Sequence, residues 1–279
     1  MTRRHTFYPL PRELHSELGI REYLGLSMMA AFGIYLLFLS GSSSVDREWL
    51  RAAFFTTSGM TCIGFLALIW SGYSGRRRIT VEGTSVLPGK NGLVIPWSRP
   101  HLYATLLAFG SLVPAGLLLS IGLWSGLLDI PLTAGQAGIF SIIGLPLSLL
   151  AIGVIAVHVS MQRTRSLIIS PTELTFPGVL SMQRTVRWAD VRSIEMGPST
   201  LGNAVVRLEV RRSGGQNNSK RAIYAERFSI GAAATFQLIR FYHDHPRSRD
   251  ELGDNRSADR ILTYGLMDED AADRTGGVG

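Results

Sequence analysis

The side chains that could do chemistry are few and not spaced for it. The six histidines are His5, His15, His101, His158, His243 and His245, and only the last two are near neighbours. Their i, i+2 spacing does not put two imidazoles on one helix face, as a zinc-binding helix requires. No metal site is expected. No G-x-S-x-G nucleophile turn, phosphate-binding loop or dinucleotide fingerprint occurs, and the glycines lie in apolar blocks and turns. The single cysteine, Cys62, excludes an intramolecular disulfide. The reading is therefore of a chain that is not an enzyme, with no catalytic, metal-binding or cofactor-binding residue and no cofactor.

Charge is the chemistry that remains. Residues 163–249 carry fourteen Lys and Arg against six Asp and Glu, whereas residues 250–279 carry three against eight. Two basic groups, Arg76, Arg77 and Arg78, and Arg163 with Arg165, directly follow long apolar blocks. A Lys or Arg close to an anionic leaflet contributes about 1 kcal/mol of attraction, so these five are candidate inner-leaflet lipid contacts. The competing reading is that they only set topology. Nucleic-acid binding is not expected, because no aromatic-basic platform accompanies the charge.

The elements that position these groups are four blocks without Asp, Glu, Lys or Arg, at residues 23–45, 52–75, 100–128 and 130–162. A helix of about 20 apolar residues crosses roughly 30 Å of hydrocarbon, and a Lys, Arg or Asp at its centre costs on the order of 3 kcal/mol. The blocks predict membrane spans near 23–40, 52–73, 102–124 and 138–158. Arg3, Arg4, Arg12 and Arg21 precede the first span. Arg76, Arg77, Arg78, Lys90 and Arg99 fill the middle loop, and Arg163 and Arg165 follow the last span. The first connection has Arg47 and Arg51 offset by Asp46 and Glu48, and the third has only Asp129. The positive-inside rule then predicts a multi-pass protein of the cytoplasmic membrane with both termini and the middle loop in the cytoplasm. Cleavage of the first span as a signal peptide is the rival reading, given the small residues 40–44. Within the spans, Thr56, Thr57, Ser58, Thr61 and Cys62 could line a pore or a helix contact. Pro114 and Pro146 are expected to kink their helices. Gly116-x-x-x-Ser120 and Gly144-x-x-x-Ser148 permit close helix approach.

Outside the spans, residues 1–22 form an N-terminal segment with a short surface helix at 11–22. Residues 76–101 read as a β-hairpin-like loop turning at Gly83-Thr84. Residues 163–249 read as a meander of short strands followed by a helix near 231–243, ended by Pro246. In 204–212, Val206, Leu208 and Val210 alternate with Arg207, Glu209 and Arg211, the period of a half-buried strand. Residues 250–279 form an acidic, partly disordered tail with some helix near 258–262. The pattern Arg77-x-Ile79-x-Val81-x-x-Thr84-x-Val86 recurs as Arg165-x-Leu167-x-Ile169-x-x-Thr172-x-Leu174, each followed by Pro-Gly and then Trp97 or Trp188. Duplication and chance likeness of two hairpins are both open.

The segment LIISPTELTFPGVLSMQRTVRWADVRSIE resembles the opening of bacterial pleckstrin-homology-like domains, with a W-x-D-[IV]-x-x-I motif at Trp188, Asp190, Val191 and Ile194. The ending RFYHDHPRSRDELG is similar to tails of actinobacterial membrane proteins with such domains. The resemblance implies a fold, an all-β PH-like barrel of two packed sheets capped by one α-helix, after four transmembrane helices. It implies no enzyme chemistry, and a structural role for the four motif residues. The functional expectation is a membrane-anchored adaptor or scaffold whose cytoplasmic domain binds a protein partner or anionic lipid headgroups. A small transporter or channel subunit with a regulatory cytoplasmic domain is the alternative. Membrane lipids, a protein partner or a homo-oligomer are the expected partners.

Overall fold

The structure, a computed structural model, describes residues 5–8, 20–77, 80–82, 87–89, 92–130, 132–160, 166–178, 183–198, 204–211 and 219–262. The chain divides into a helical unit of residues 17–71 and 100–161 and a sheet unit of residues 1–16, 72–99 and 162–279.

The helical unit is built from α1 (Ile20–Val45), α2 (Trp49–Arg77), α3 (Arg99–Trp124) and α4 (Ala134–Ser160). All four are long and apolar enough to cross a membrane, which supports a membrane protein. The helices start three or four residues before the expected spans, α3 ends where expected at Trp124, and α3 and α4 continue through Pro114 and Pro146. Close approach is made at small residues. A Cβ on Gly59 would come 2.9 Å from Leu37 on α1, and one on Gly144 would come 2.5 Å from the Gly116 carbonyl on α3. Gly116-x-x-x-Ser120 therefore meets Gly144-x-x-x-Ser148, and Ser120 Oγ donates to the Ser141 carbonyl at 2.6 Å while Ser148 Oγ donates to the Val113 carbonyl at 2.9 Å. With lipid as solvent, such packing and hydrogen bonds hold helices together, since burial of apolar surface gains nothing there.

The sheet unit gathers three stretches of sequence separated by pairs of long helices. β1 (His5–Phe7) pairs antiparallel with β2 (Thr80–Glu82), Thr6 opposite Val81. β3 (Leu87–Gly89), β4 (Gly92–Pro96), β5 (Ser166–Ile169), β6 (Glu173–Pro177) and β7 (Gln183–Arg187) form one antiparallel sheet in that order. β4 pairs with β5 through Leu93–Ile169 and Ile95–Leu167, so α3 and α4 are inserted between two hydrogen-bonded neighbours. β8 (Val191–Pro198), β9 (Ala204–Val210) and β10 (Ser219–Tyr224) form a second sheet, ordered β10-β9-β8. Gly92 turns the β3–β4 hairpin at φ +145°, a backbone region open to glycine, and a side chain there would run into the Ile169 carbonyl.

The expected turn at Gly83-Thr84 lies outside the described residues; among those described in the middle loop, β2 pairs with β1 and β3 with β4. One expectation is corrected: the sheets are not closed into a barrel. β10 ends at Tyr224, and a 3-10 turn, Ala225–Arg227, carries the chain off the strand path before it reaches β4. Among the described residues only one bridge, Trp97 with Phe228, follows, flanked by Ser98 N to Arg227 O (2.8 Å) and Ser229 N to Pro96 O (2.9 Å).

The core lies between the sheets and α5 (Gly231–Asp244), which packs on β8 and β9. Leu93, Ile95, Leu167, Ile169, Leu174, Leu208 and Tyr242 are fully buried, each apolar side chain contributing about 2 kcal/mol of transfer free energy. α6 (Asn255–Leu262) lies against β1, β2 and β3, with Leu252 and Ile261 buried, and the Tyr8 hydroxyl donates to the Ile261 carbonyl. The first part of the acidic tail is thus core structure, while 263–279 lie outside the described residues. Most of the first copy of the repeat also lies outside them. What can be compared is that the β3–β4 and β6–β7 hairpins each lead to a tryptophan under a guanidinium: Arg227 at 5.6 Å from Trp97, and Arg249 at 4.8 Å from Trp188.

Candidate anion-binding cleft

The W-x-D-V motif folds into the corner between the sheets. Trp188 is buried, and its Nε1 donates to the Ser170 carbonyl at 2.8 Å, tying the corner to the β5–β6 turn. Val191 is buried and Ile194 packs against the core. Asp190 ties the corner through its backbone, its carbonyl accepting from Arg211 N at 2.8 Å, and its side chain borders a cleft.

That cleft, about 740 Å³, opens between β7 and the outer part of the second sheet. Arg184, Thr185, Val186 and Arg187 line it from β7, Arg211 from the end of β9, and Ser219 and Arg221 from β10. Register explains the gathering. Ser219 lies opposite Val210, and Val210 opposite Val191, so the end of β9, the start of β10 and the corner share one end of the sheet. Glu173, opposite Arg187, and Asp190 are the acidic residues at its wall. Four guanidiniums against two carboxylates leave the cleft positive.

Several guanidiniums elsewhere in the unit are engaged, while Arg192 and Arg247, like the cleft arginines, pair with no described residue. Arg260 grips Glu251 at 2.5 and 2.9 Å, and Glu251 also accepts from the Tyr242 hydroxyl at 2.9 Å. Arg249 Nε donates to the Tyr242 carbonyl at 2.6 Å, Arg240 pairs with Asp244 at 3.5 Å and Arg256 with Asp254 at 2.8 Å. Arg184, Arg187, Arg211 and Arg221 make no ion pair and no side-chain hydrogen bond with any described residue. A guanidinium is always charged and its fork matches carboxylate or phosphate oxygens two at a time. Four of them around one concavity raise the local anion concentration.

A second polar cluster has a structural role. Glu226 is buried and accepts from Ala204 N at 2.9 Å. Burial pushes its carboxyl above the usual range, and that hydrogen bond, with Arg227 and Arg76, pulls it back. Burial likewise lowers the Arg227 guanidinium, which lies 4.5 Å from the Tyr224 ring and 5.6 Å from Trp97. The Glu226 carbonyl packs where a side chain on Gly75 would stand.

Of the expected lipid contacts, Arg76 lies 5.3 Å over the Tyr73 ring at the end of α2, partly buried. Arg77 is the last residue of that helix, and Arg78, Arg163 and Arg165 lie outside the described residues. Arg76 is not among the described residues that line the cleft. Its four arginines carry no linear motif: they come from three strands, and only pairing register brings them together. Two hydroxyls of the second span, Thr56 and Thr61, are engaged in contacts with neighbouring helices, and Thr57 bonds within its own helix. Thr56 Oγ1 donates to the Ala52 carbonyl at 2.8 Å and lies 2.6 Å from Ser40 Oγ, while Thr61 Oγ1 donates to Thr57 O at 2.8 Å and meets Ser111 Oγ at 3.0 Å. Compared with known proteins, the chain matches no family model, no curated protein and no solved structure.

Proposed function

We propose that the protein is a membrane-anchored adaptor whose sheet unit, held at the inner leaflet, recognises an anionic partner in the cleft between β7 and β10. The observation that carries this reading is the set of four guanidiniums, Arg184, Arg187, Arg211 and Arg221, that face one concavity without an acidic partner among the described residues. Chain connectivity supports the placement. β1 pairs with β2, and β4 with β5, across the two helix pairs. Spans in pairs return the chain to the side it left, so all three stretches share a side. The arginine-rich flanks favour the cytoplasmic one. The PH-like reading rests on the resemblance at Trp188, Asp190, Val191 and Ile194, and two antiparallel sheets with α5 packed on the second support it, though they do not close into a barrel. A transport role is less favoured, because Thr56, Thr57 and Thr61, three of the hydroxyls that would line a path, are hydrogen-bonded between or within helices.

The test uses the full chain in zwitterionic nanodiscs, with short-chain phosphatidylglycerol and polyglutamate as anionic probes. Binding of at least one probe is expected. Changing all four cleft arginines to alanine should weaken it by tenfold or more, about 1.4 kcal/mol, with thermal unfolding unchanged. Equal binding by the variant, or no binding by either protein, refutes the reading.

A further inference from the structure

The cleft meets β7 in an unusual way. Arg184, Thr185, Val186 and Arg187 are four consecutive residues of that strand, and all four line it. Successive side chains of a strand point to opposite faces, so a cleft resting on one face would touch alternate residues only. That is how it meets β10, through Ser219 and Arg221. On β7 the cleft instead runs along the strand's outer edge. β7 is the last strand of its sheet, and its ladder is to β6 alone among the described residues. An edge strand carries a row of backbone N–H and C=O groups able to pair with another extended chain.

Resting on the adaptor reading above, we propose that the anionic partner is an acidic polypeptide segment that adds to the edge of β7 as a further strand. Backbone pairing to β7 would supply register. Carboxylates on both faces of the added strand would meet the guanidiniums that flank the edge, Arg184 on one face of β7 and Arg187 on the other, with Arg221 across the cleft. A strand pairing with the five residues of β7 is about 17 Å long, so its charges are spread out. This matches arginines distributed along the cleft better than one compact headgroup would. The two wall carboxylates, Glu173 and Asp190, also oppose a single concentrated dianion more than a line of separated monoanions.

The test again uses the full chain in zwitterionic nanodiscs. The probe is a fluorescent peptide repeating Glu-Glu-Thr-Thr, which sets carboxylates on both faces of a strand, about eight residues long. Its control has the same side chains but is N-methylated at alternate backbone nitrogens. Expected are saturable binding of the first peptide, at least tenfold weaker binding of the methylated one, and slowed amide exchange at 184–187 in the complex. The double variant Arg184→Gln with Arg187→Gln, both on exposed positions, should weaken the unmodified peptide at least tenfold and leave its own unfolding midpoint unchanged. Equal affinity for both peptides would overturn strand addition. Arginine-dependent binding of short-chain phosphatidylglycerol without peptide binding would also overturn it while leaving the adaptor reading intact. If neither probe bound, both would fall, and the edge arginines would stand as a guard against unwanted strand pairing.

Discussion

The two units dispose of apolar side chains in opposite ways. In the sheet unit Leu167 and Leu174 have no exposed surface at all, whereas in the helical unit Phe38 is 72% and Ile142 73% exposed. The apolar stretches of α1 and α4 are only 17% buried. Aqueous proteins rarely leave that much apolar surface uncovered, so the difference is the one expected of a unit in water beside helices long and apolar enough to cross a membrane. Polar groups follow the same division. The helical unit spends hydroxyls on short-range contacts between helices, while the sheet unit carries arginines and glutamates, some locked in pairs and four turned to an open cleft.

Substitutions can break this contrast. The largest effect is expected in the water-facing core, where Phe176→Ala should cost about 4 kcal/mol, read as a shift in urea midpoint. The exposed Ile142→Ala should cost little. Next, Gly144→Leu should destabilise the helical unit by about 3 kcal/mol, because its first carbon would meet Gly116 and Ser120. Gly153→Leu on the same helix, where nothing lies within 4 Å, should be tolerated. Unfolding in mixed detergent micelles separates the two. Glu251→Gln removes the charge that joins Tyr242 and Arg260 and should cost about 2 kcal/mol.

A smaller, pH-dependent effect is expected at Glu226. Its carboxyl is raised by burial, so the folded protein holds that proton more tightly than the unfolded chain. Stability therefore falls as pH rises from the ordinary carboxylate range through the raised value, and is greatest below it. Glu226→Gln should flatten this slope in urea midpoints measured across acidic to neutral pH. The smallest effect is Thr61→Val, which loses the contact with Ser111 at about 0.6 kcal/mol.

The helical unit was readable from the sequence because each span announces itself locally. Charge-free length gives the helix, and small-x-x-x-small spacing at Gly116 and Gly144 gave the α3–α4 contact. The sheet unit was readable only in part. Alternation at Val206, Leu208 and Val210 marked β9, and Pro246 marked the end of α5. The pairing of β4 with β5 joins Leu93 to Ile169 across two intervening helices, and no local pattern encodes such a partner. The same limit hid the cleft. Arg184, Arg211 and Arg221 look like ordinary solvent-facing strand residues until register places them around one space. Closure into a barrel was expected from the family resemblance, but the 3-10 turn at Ala225–Arg227 diverts the chain, and short turns of that kind leave a weak trace in sequence.

The adaptor role proposed above requires the arginine-bearing sheets to face the cell interior while the connection between α3 and α4 faces outward. Two full-length proteins in a Cys62→Ser background, one with Asp129→Cys and one with Arg187→Cys, would be treated in intact cells with a membrane-impermeant maleimide. Labelling at 129 in intact cells, and at 187 only after permeabilisation, is the expected result. Labelling of 187 in intact cells, or of both positions from one side, would contradict it.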